Sequence, residues 1–230
     1  MIHHKQQQAS ASSQSGFTII ESLVAMLVTS VLLAAIAPVI ILSVSTRVQA
    51  KRIETATDAA KSYIDGVRSG TIPVPDSPIT DSTKIADYAP PDVTSGSLTC
   101  GTKSSPCTAP ATNLYCVSVD GNDCTITNAN NFVIQAIRYN QATVTTGGTT
   151  TNITDPAKGY QLGIRVYRAS GFSSDGGNLK KAPSKQATFT GGLGDRKSPL
   201  IEMTTEITKG VTFSDFCTRL RQTNPQSTCS

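Results

Sequence analysis

The strongest hydrophobic feature of the chain is a single run near its start. The 22 residues from Leu23 to Val44 contain no charged side chain, and no later segment is comparably apolar. At about 1.5 Å of rise per residue, a helix of this length measures roughly 33 Å, enough to cross a hydrocarbon core of about 30 Å. The pattern predicts one membrane-spanning helix.

A second helical pattern follows the run directly. Between Arg47 and Arg68, apolar residues recur mostly at spacings of three to five, which places them on one side of a helix. Gly70 and the prolines after it end the pattern. We therefore expect the helix to continue beyond the membrane and to pack its apolar side on a sheet.

The rest of the chain reads as loops and strands. Residues 70–112 are rich in Pro, Ser, Thr and Gly and predict a long loop region, and 143–152 predicts a Thr/Gly loop. The strand candidates are 114–119, a short return at 124–126 after a turn, 132–139, 160–167 and 200–207. These elements predict an α+β fold: a long N-terminal helix packed on a small antiparallel head of about four strands, with one sheet face buried.

Composition narrows the chemistry. The net charge of +4 is too small to indicate nucleic acid by itself. The two histidines, His3 and His4, lie at the extreme N-terminus, so a chain that loses this end has no imidazole for a catalytic triad or a metal site. No pair of acids stands out as a hydrolase site. We expect no enzymatic activity and no cofactor.

All six cysteines follow the apolar run, and their even number predicts disulfides in a head outside the cytoplasm. Six cysteines allow 15 pairings, which sequence alone does not resolve. We favour sequence neighbours: Cys100–Cys107, Cys116–Cys124 and Cys217–Cys229. Zinc is less favoured, because no C-x-x-C is present.

Glu21 is unusual because it lies at the front of the apolar run. A carboxylate in a bilayer costs roughly 2.5–3.5 kcal/mol at mid-membrane, and no Lys or Arg lies between Gly16 and Arg47. Cleavage after Gly16 would supply a cation, the α-amine of Phe17, whose ordinary pKa is about 7.7–8.0. In staggered parallel helices, this amine can reach Glu21 of a neighbour. An ordinary signal peptide fits poorly, because Pro38 directly follows the small-residue cleavage pattern.

The segment Gly16-Phe-Thr-Ile-Ile-Glu21, followed by an apolar helix, resembles the prepilin motif of type IV pilins and type II secretion pseudopilins. The resemblance covers about residues 15–68. It implies a leader peptide at 1–16, cleavage between Gly16 and Phe17, N-methylation of Phe17 and an assembly role for Glu21. Proline is frequent in the family at the position of Pro38, and its missing N–H predicts a helix break there. The resemblance also implies a long helix at 17–69, with 17–44 forming the transmembrane segment and filament core, and an extracytoplasmic head at 70–230 with a C-terminal disulfide loop.

Two further phrases, residues 36–40 and 63–68, are similar to cyanobacterial pseudopilins of the hormogonium polysaccharide secretion type. The expected role is a minor pilin or pseudopilin that supports motility, polysaccharide secretion or DNA uptake. The expected partners are other pilins, the prepilin peptidase and methylase, the inner-membrane assembly platform and membrane lipid. Its place is the inner membrane, with the head outside, and then a periplasmic or surface filament. The alternative is a membrane-anchored binding or adhesin domain that keeps its leader and never polymerises.

Two head features invite other functions. Residues 120–123 could suggest calcium but read better as an ordinary turn, and 191–194 reads as a flexible loop. A basic group between Gly171 and Ser198 is either solvated or contacts an anionic polymer such as DNA or an acidic polysaccharide. Its members are Lys180, Lys181, Lys185, Arg196 and Lys197.

Overall fold

One long helix, α1 (Ile19–Ser69), opens the fold. The computed structural model describes residues 16, 18–76, 78–79, 85–94, 97–140, 143–186, 194–208, 210–224, 226 and 228. The chain divides into two compact units, Met1–Val44 and Ser45–Ser230, so α1 contributes to both. Its first part is long and apolar enough to cross a membrane.

The second unit holds the strands and a second helix. In chain order these are β1 (Pro78–Ile79), β2 (Thr99–Cys100), β3 (Ser105–Ala109), β4 (Leu114–Ser118), β5 (Asn131–Tyr139), β6 (Thr143–Thr146), β7 (Thr149–Asn152), β8 (Tyr160–Arg168), β9 (Ile201–Ile207) and α2 (Phe213–Thr223). Short 3₁₀ turns occupy Ile85–Asp87, Pro156–Lys158 and Ala169–Phe172.

Six strands form an antiparallel sheet in the order β2-β3-β4-β5-β8-β9. The central strand β5 pairs with β8 from Phe132 opposite Arg168 to Tyr139 opposite Gln161. On its other edge it pairs with β4, and the short β1 lies parallel beside Arg138 and Tyr139. The predicted α+β class, a long helix on an antiparallel sheet, is confirmed.

The first core layer lies between α1 and the sheet. Ala56, Ala60, Tyr63, Ile64 and Val67 form the buried side of the helix. Alternate residues of the strands meet them: Phe132, Ile134, Ala136, Tyr160, Leu162, Ile164 and Val166. The two small alanines let the helix backbone approach the sheet closely, and the apolar area removed from water supplies the main stabilisation of this layer.

The opposite sheet face is also buried, which corrects the expectation of a single buried face. Loop segments cover it with a second apolar cluster of Val93, Cys107, Leu114, Cys116, Val133, Tyr167, Ala169, Phe172 and Leu179. A third cluster joins Ile85, Ile137 and Tyr139. Nearly every residue of β5 is consequently buried. The long connections supply this cover, so they are structural parts of the head.

Three local predictions were wrong. Residues 70–112 contain β1, β2 and β3 as well as loops. Residues 124–126 form no strand, because the Thr125 carbonyl accepts from the backbone N–H of Asn128 (3.3 Å) in a local turn and not from a neighbouring strand. Residues 143–152 form the hairpin β6–β7, whose turn residues Gly147 and Gly148 have φ of 59° and 82°, values that glycine adopts readily.

Candidate assembly site

The start of α1 is a capped helix end. The Thr18 hydroxyl accepts a hydrogen bond from the backbone N–H of Glu21 (3.2 Å), and the Thr18 carbonyl accepts from the N–H of Ser22 (3.1 Å). The sequence Thr-x-x-Glu favours such a cap. Glu21 therefore stands in the first turn, where the positive end of the helix dipole favours a carboxylate.

Glu21 is the only ionisable residue between Thr18 and Arg47. The other polar side chains near it are satisfied within the helix: Ser22 donates to the Ile19 carbonyl (2.8 Å), and Thr29 donates to the Ala25 carbonyl (2.7 Å). These hydroxyl groups make their hydrogen bonds within the helix and are therefore compatible with an apolar environment, whereas the charged carboxylate of Glu21 is not.

The apolar side chains of this unit are exposed along its length. Their exposed fractions range from 85% at Ile19 to 38% at Leu42. A shallow groove on one face is lined by Ser22, Ala25, Met26, Thr29, Ser30 and Leu33. Small side chains allow helices to approach one another closely in lipid. Glu21 lies one turn before Ala25 and so shares this face.

The other residues predicted to be important near the start of the chain are Gly16, Phe17 and Pro38. Gly16 is described and exposed, whereas Phe17 lies outside the described residues, as does the predicted leader at 1–15. The helix continues through Pro38. A proline has no N–H, so the carbonyl of Ala34 loses its helical donor at this point.

Disulfides tie the head together at its edge. The structure pairs Cys100 with Cys107, joining β2 to β3, and Cys116 with Cys124, joining β4 to the loop after it. Both pairs are among those favoured from the sequence. Cys217 is also disulfide-bonded, and its predicted partner Cys229 lies outside the described residues.

The basic group of the head is largely engaged. Lys180 pairs with Asp195 (2.7 Å), and Arg196 pairs with Asp175. Lys197 is buried and donates to the carbonyls of Gly171 (2.9 Å) and Ser173 (2.6 Å). Among the described residues, Lys181 and Lys185 form no ion pair, and two lysines are a weak basis for polymer binding.

The turn at 120–123 is held by hydrogen bonds to one carboxylate. Asp120 accepts from the Asn128 amide (3.0 Å), from the Asn122 backbone N–H (3.1 Å) and from the Ser118 hydroxyl (2.9 Å). These donors hold the pKa of Asp120 well below its ordinary value. The geometry is that of a turn organised by an acid, as expected from the sequence.

Sequence reasoning missed a buried polar centre behind the sheet. Arg165 is fully buried and donates to Glu202 (2.6 Å), to the Gln135 side chain (3.1 Å) and to the carbonyls of Tyr88 (2.9 Å) and Ile85. One guanidinium thereby joins β5, β8 and β9 to the segment that covers their second face. The alternation of side chains along β8 assigns Arg165 to the second sheet face. Its partners lie 30 or more residues away in the sequence, so no local pattern identifies them.

Comparison with known families decides what the start of the chain is. Residues 11–37 match the family model described as the prokaryotic N-terminal methylation motif. The chain carries a prepilin-type signal. This signal is found in type IV pilins and pseudopilins, so the resemblance inferred from Gly16 to Glu21 is confirmed. No curated protein and no solved structure matches the chain.

The prepilin signal supports several coarse statements. It supports a pilin-like or pseudopilin-like structural subunit, assembly with other pilins and processing by a prepilin peptidase. Together with the apolar helix, it fits a membrane-anchored pilin.

Proposed function

We propose that this chain is a minor pilin or pseudopilin that polymerises through α1 into a type IV pilus or a type II secretion-like filament. The peptidase cuts between Gly16 and Phe17, and the new N-terminus is methylated. The head stands outside the cytoplasm, where its disulfides form. Such a filament would serve motility, polysaccharide secretion or DNA uptake by mechanical action, with no chemistry in the head.

One observation supports the proposal: a single carboxylate, Glu21, lies within the match at residues 11–37, at the front of a part of α1 that is otherwise apolar and exposed as far as Val44. In a bilayer an isolated carboxylate is expensive. Cleavage creates a cation four residues earlier, roughly 6 Å along the helix axis. When the helices of two subunits are staggered by that amount, the amine of one lies level with the acid of the other. The pairing then fixes the stagger of the filament.

The first test concerns the N-terminus. The full-length chain is produced in a host with an active prepilin peptidase, and the purified protein is analysed by mass spectrometry. We expect a chain that begins at Phe17 and carries one added methyl group. Gly16→Val should leave the leader attached because the peptidase no longer accepts the site, while Lys5→Ala serves as a leader control. A wild-type chain that retains its leader would support the anchored, non-polymerising alternative instead.

The second test concerns Glu21. Glu21→Ala should lower incorporation into sheared filaments at least tenfold, because no acid remains to meet the neighbouring amine, while cleavage and membrane insertion persist. Glu54→Ala is the matched control, since Glu54 is an exposed acid on the same helix whose partner is Lys51 (3.1 Å). Equal incorporation of the two variants would disprove the assembly role of Glu21.

Anionic polymer contact remains a minor part of the proposal. It would depend on Lys181 and Lys185, because Lys180, Arg196 and Lys197 are engaged within the head. Two neighbouring lysines give a shallow salt dependence of binding.

A further inference from the structure

The two described disulfides of the head lie against each other. The Sγ atoms of Cys100, Cys116 and Cys124 all lie within 4.8 Å of one another, although Cys100 is bonded to Cys107 and not to either of the other two. The sulfur of Cys107 is not a member of this close group. Of the two sulfur atoms of the Cys100–Cys107 bridge, the Sγ of Cys100 therefore lies beside the Cys116–Cys124 bridge.

The topology explains this approach. In β3 and β4, Ser105 lies opposite Cys116, and Cys107 follows two residues later on the same face of its strand. β2 places Cys100 opposite Cys107. All four cysteines consequently gather on the second sheet face, where Cys107 and Cys116 are buried and Cys100 and Cys124 are partly exposed.

Thiol–disulfide exchange needs a thiolate close to a disulfide and access for the attacking group. Both conditions converge on Cys100. Its side chain is partly exposed, so an external thiol can reach its bridge, and once reduced its sulfur already stands beside the Cys116–Cys124 bridge. A sulfur held this close acts at an effective concentration of millimolar or more.

We propose that Cys100 is a thiol-exchange site that couples the two bridges. An external dithiol reduces Cys100–Cys107 and is itself oxidised to a disulfide. The Cys100 thiol gives its proton to solvent, and its thiolate attacks Cys124 or Cys116. One S–S bond forms, the Cys116–Cys124 bond breaks, and the leaving sulfur takes up a proton. This second step is redox-neutral and needs no further reagent.

The device makes the Cys116–Cys124 bridge respond to the state of the Cys100–Cys107 bridge. Reduction that begins at the edge strands β2 and β3 passes inward to β4, and re-oxidation returns by the same route. The head can thereby exchange mispaired partners among these four cysteines through its own sulfur. The bridge that contains Cys217 serves as an internal reference, because Cys217 does not belong to the close group.

Two single variants provide a matched test. Cys107→Ser and Cys100→Ser remove the same bridge, but the first leaves the sulfur at Cys100 and the second leaves it at Cys107. Each full-length variant is purified in detergent, held at pH 8 without oxygen, quenched with acid, alkylated and mapped by mass spectrometry. In Cys107→Ser we expect bridges from Cys100 to Cys116 or Cys124, with an equal amount of the released thiol. In Cys100→Ser we expect the Cys116–Cys124 bridge to persist.

Reduction rates give a second readout. With 0.1 mM dithiothreitol, of the order at which a millimolar intramolecular thiol dominates, the Cys116–Cys124 bridge should open about tenfold faster in Cys107→Ser than in Cys100→Ser. Similar rates, or a Cys100 thiol that stays free in Cys107→Ser, would overturn the proposal. Bridges between molecules in place of the internal ones would overturn it as well, because Cys100 would then react with other chains in preference to the Cys116–Cys124 bridge.

An experiment on the wild-type protein tests the proposal even if the variants do not fold. After reduction by less than one equivalent of a phosphine, species with two free thiols are isolated and mapped. The proposal predicts a free thiol at Cys107 together with one at Cys116 or Cys124. Finding Cys100 and Cys107 free together in all such species would reject it.

Discussion

The two units of this chain differ in what surrounds their apolar and charged side chains. Between Ile19 and Val44 the large hydrophobic side chains are exposed, and one carboxylate stands among them. In the head, apolar residues fill core layers on both faces of a sheet, and even a guanidinium is fully paired inside. Residues of the head therefore bury and pair the apolar and charged side chains of the head. The apolar side chains of the first unit need contacts from outside the unit, either lipid or other helices.

This contrast predicts that the two units respond to different mutations. A change in the head should alter its unfolding and leave processing of the prepilin signal intact. A change at Gly16 or Glu21 should block processing or assembly and leave unfolding of the head unchanged. Within the head, the expected loss decreases from Arg165 to Gly163 to Asp175.

Arg165→Met should produce the largest loss. It leaves Glu202 as a buried unpaired acid and removes donors from two backbone carbonyls, so we expect a cost of about 3–5 kcal/mol. Chemical unfolding of the full-length chain in mild detergent, followed by tyrosine fluorescence, measures it.

Arg196→Met is the matched control, because the Arg196–Asp175 pair is exposed, with 42% and 66% of the side chains accessible. An exposed pair contributes little to stability, because water and salt screen its charges. If the two variants unfold at the same denaturant concentration, the buried centre does not hold the second face in place.

Gly163→Ala should have a medium effect. An added Cβ would lie 2.9 Å from Cδ1, 3.0 Å from Cγ1 and 3.1 Å from Cβ of Ile85, so the whole side chain of Ile85 must shift. Overpacking of this kind costs about 1–3 kcal/mol. The same unfolding assay measures the loss, and the double variant Gly163→Ala, Ile85→Ala should lose less than the sum of the two single losses, because the clash needs both side chains. Losses that simply add would point to a cause other than this contact.

The strands and helices that carry strong periodicity were predictable from sequence. β5 and β8 alternate clearly, and the apolar side of α1 recurs at helical spacing. The cover of the second face was not predictable, because its anchors Val93, Phe172 and Leu179 are single apolar residues in long polar segments. No local pattern shows which loop meets which strand.

The helix α2 was missed although its signals are present. Thr212 and Asp215 form a capping box, with the Asp215 N–H donating to the Thr212 hydroxyl (3.3 Å) and the Thr212 N–H donating to the Asp215 carboxylate (3.0 Å). The cap and the following apolar spacing predict a helix. In contrast, the assembly residues were found because a charge in an apolar run is conspicuous without any knowledge of the fold.

The smallest expected effect is on the stability of the head at low pH. Hydrogen bonding from Ser173 and Arg196 lowers the pKa of Asp175 to about 2, below its ordinary value near 3.8. A carboxylate whose pKa is lower in the folded chain stabilises it above the unfolded pKa, and this contribution disappears as the pH falls from about 4 to 2. Asp175→Asn should therefore flatten the acid limb of the unfolding curve slightly, as measured against the wild-type chain in the same assay. Because Asp175 belongs to the head, the change should not alter cleavage after Gly16; a processing defect in Asp175→Asn would show that the two units are not independent.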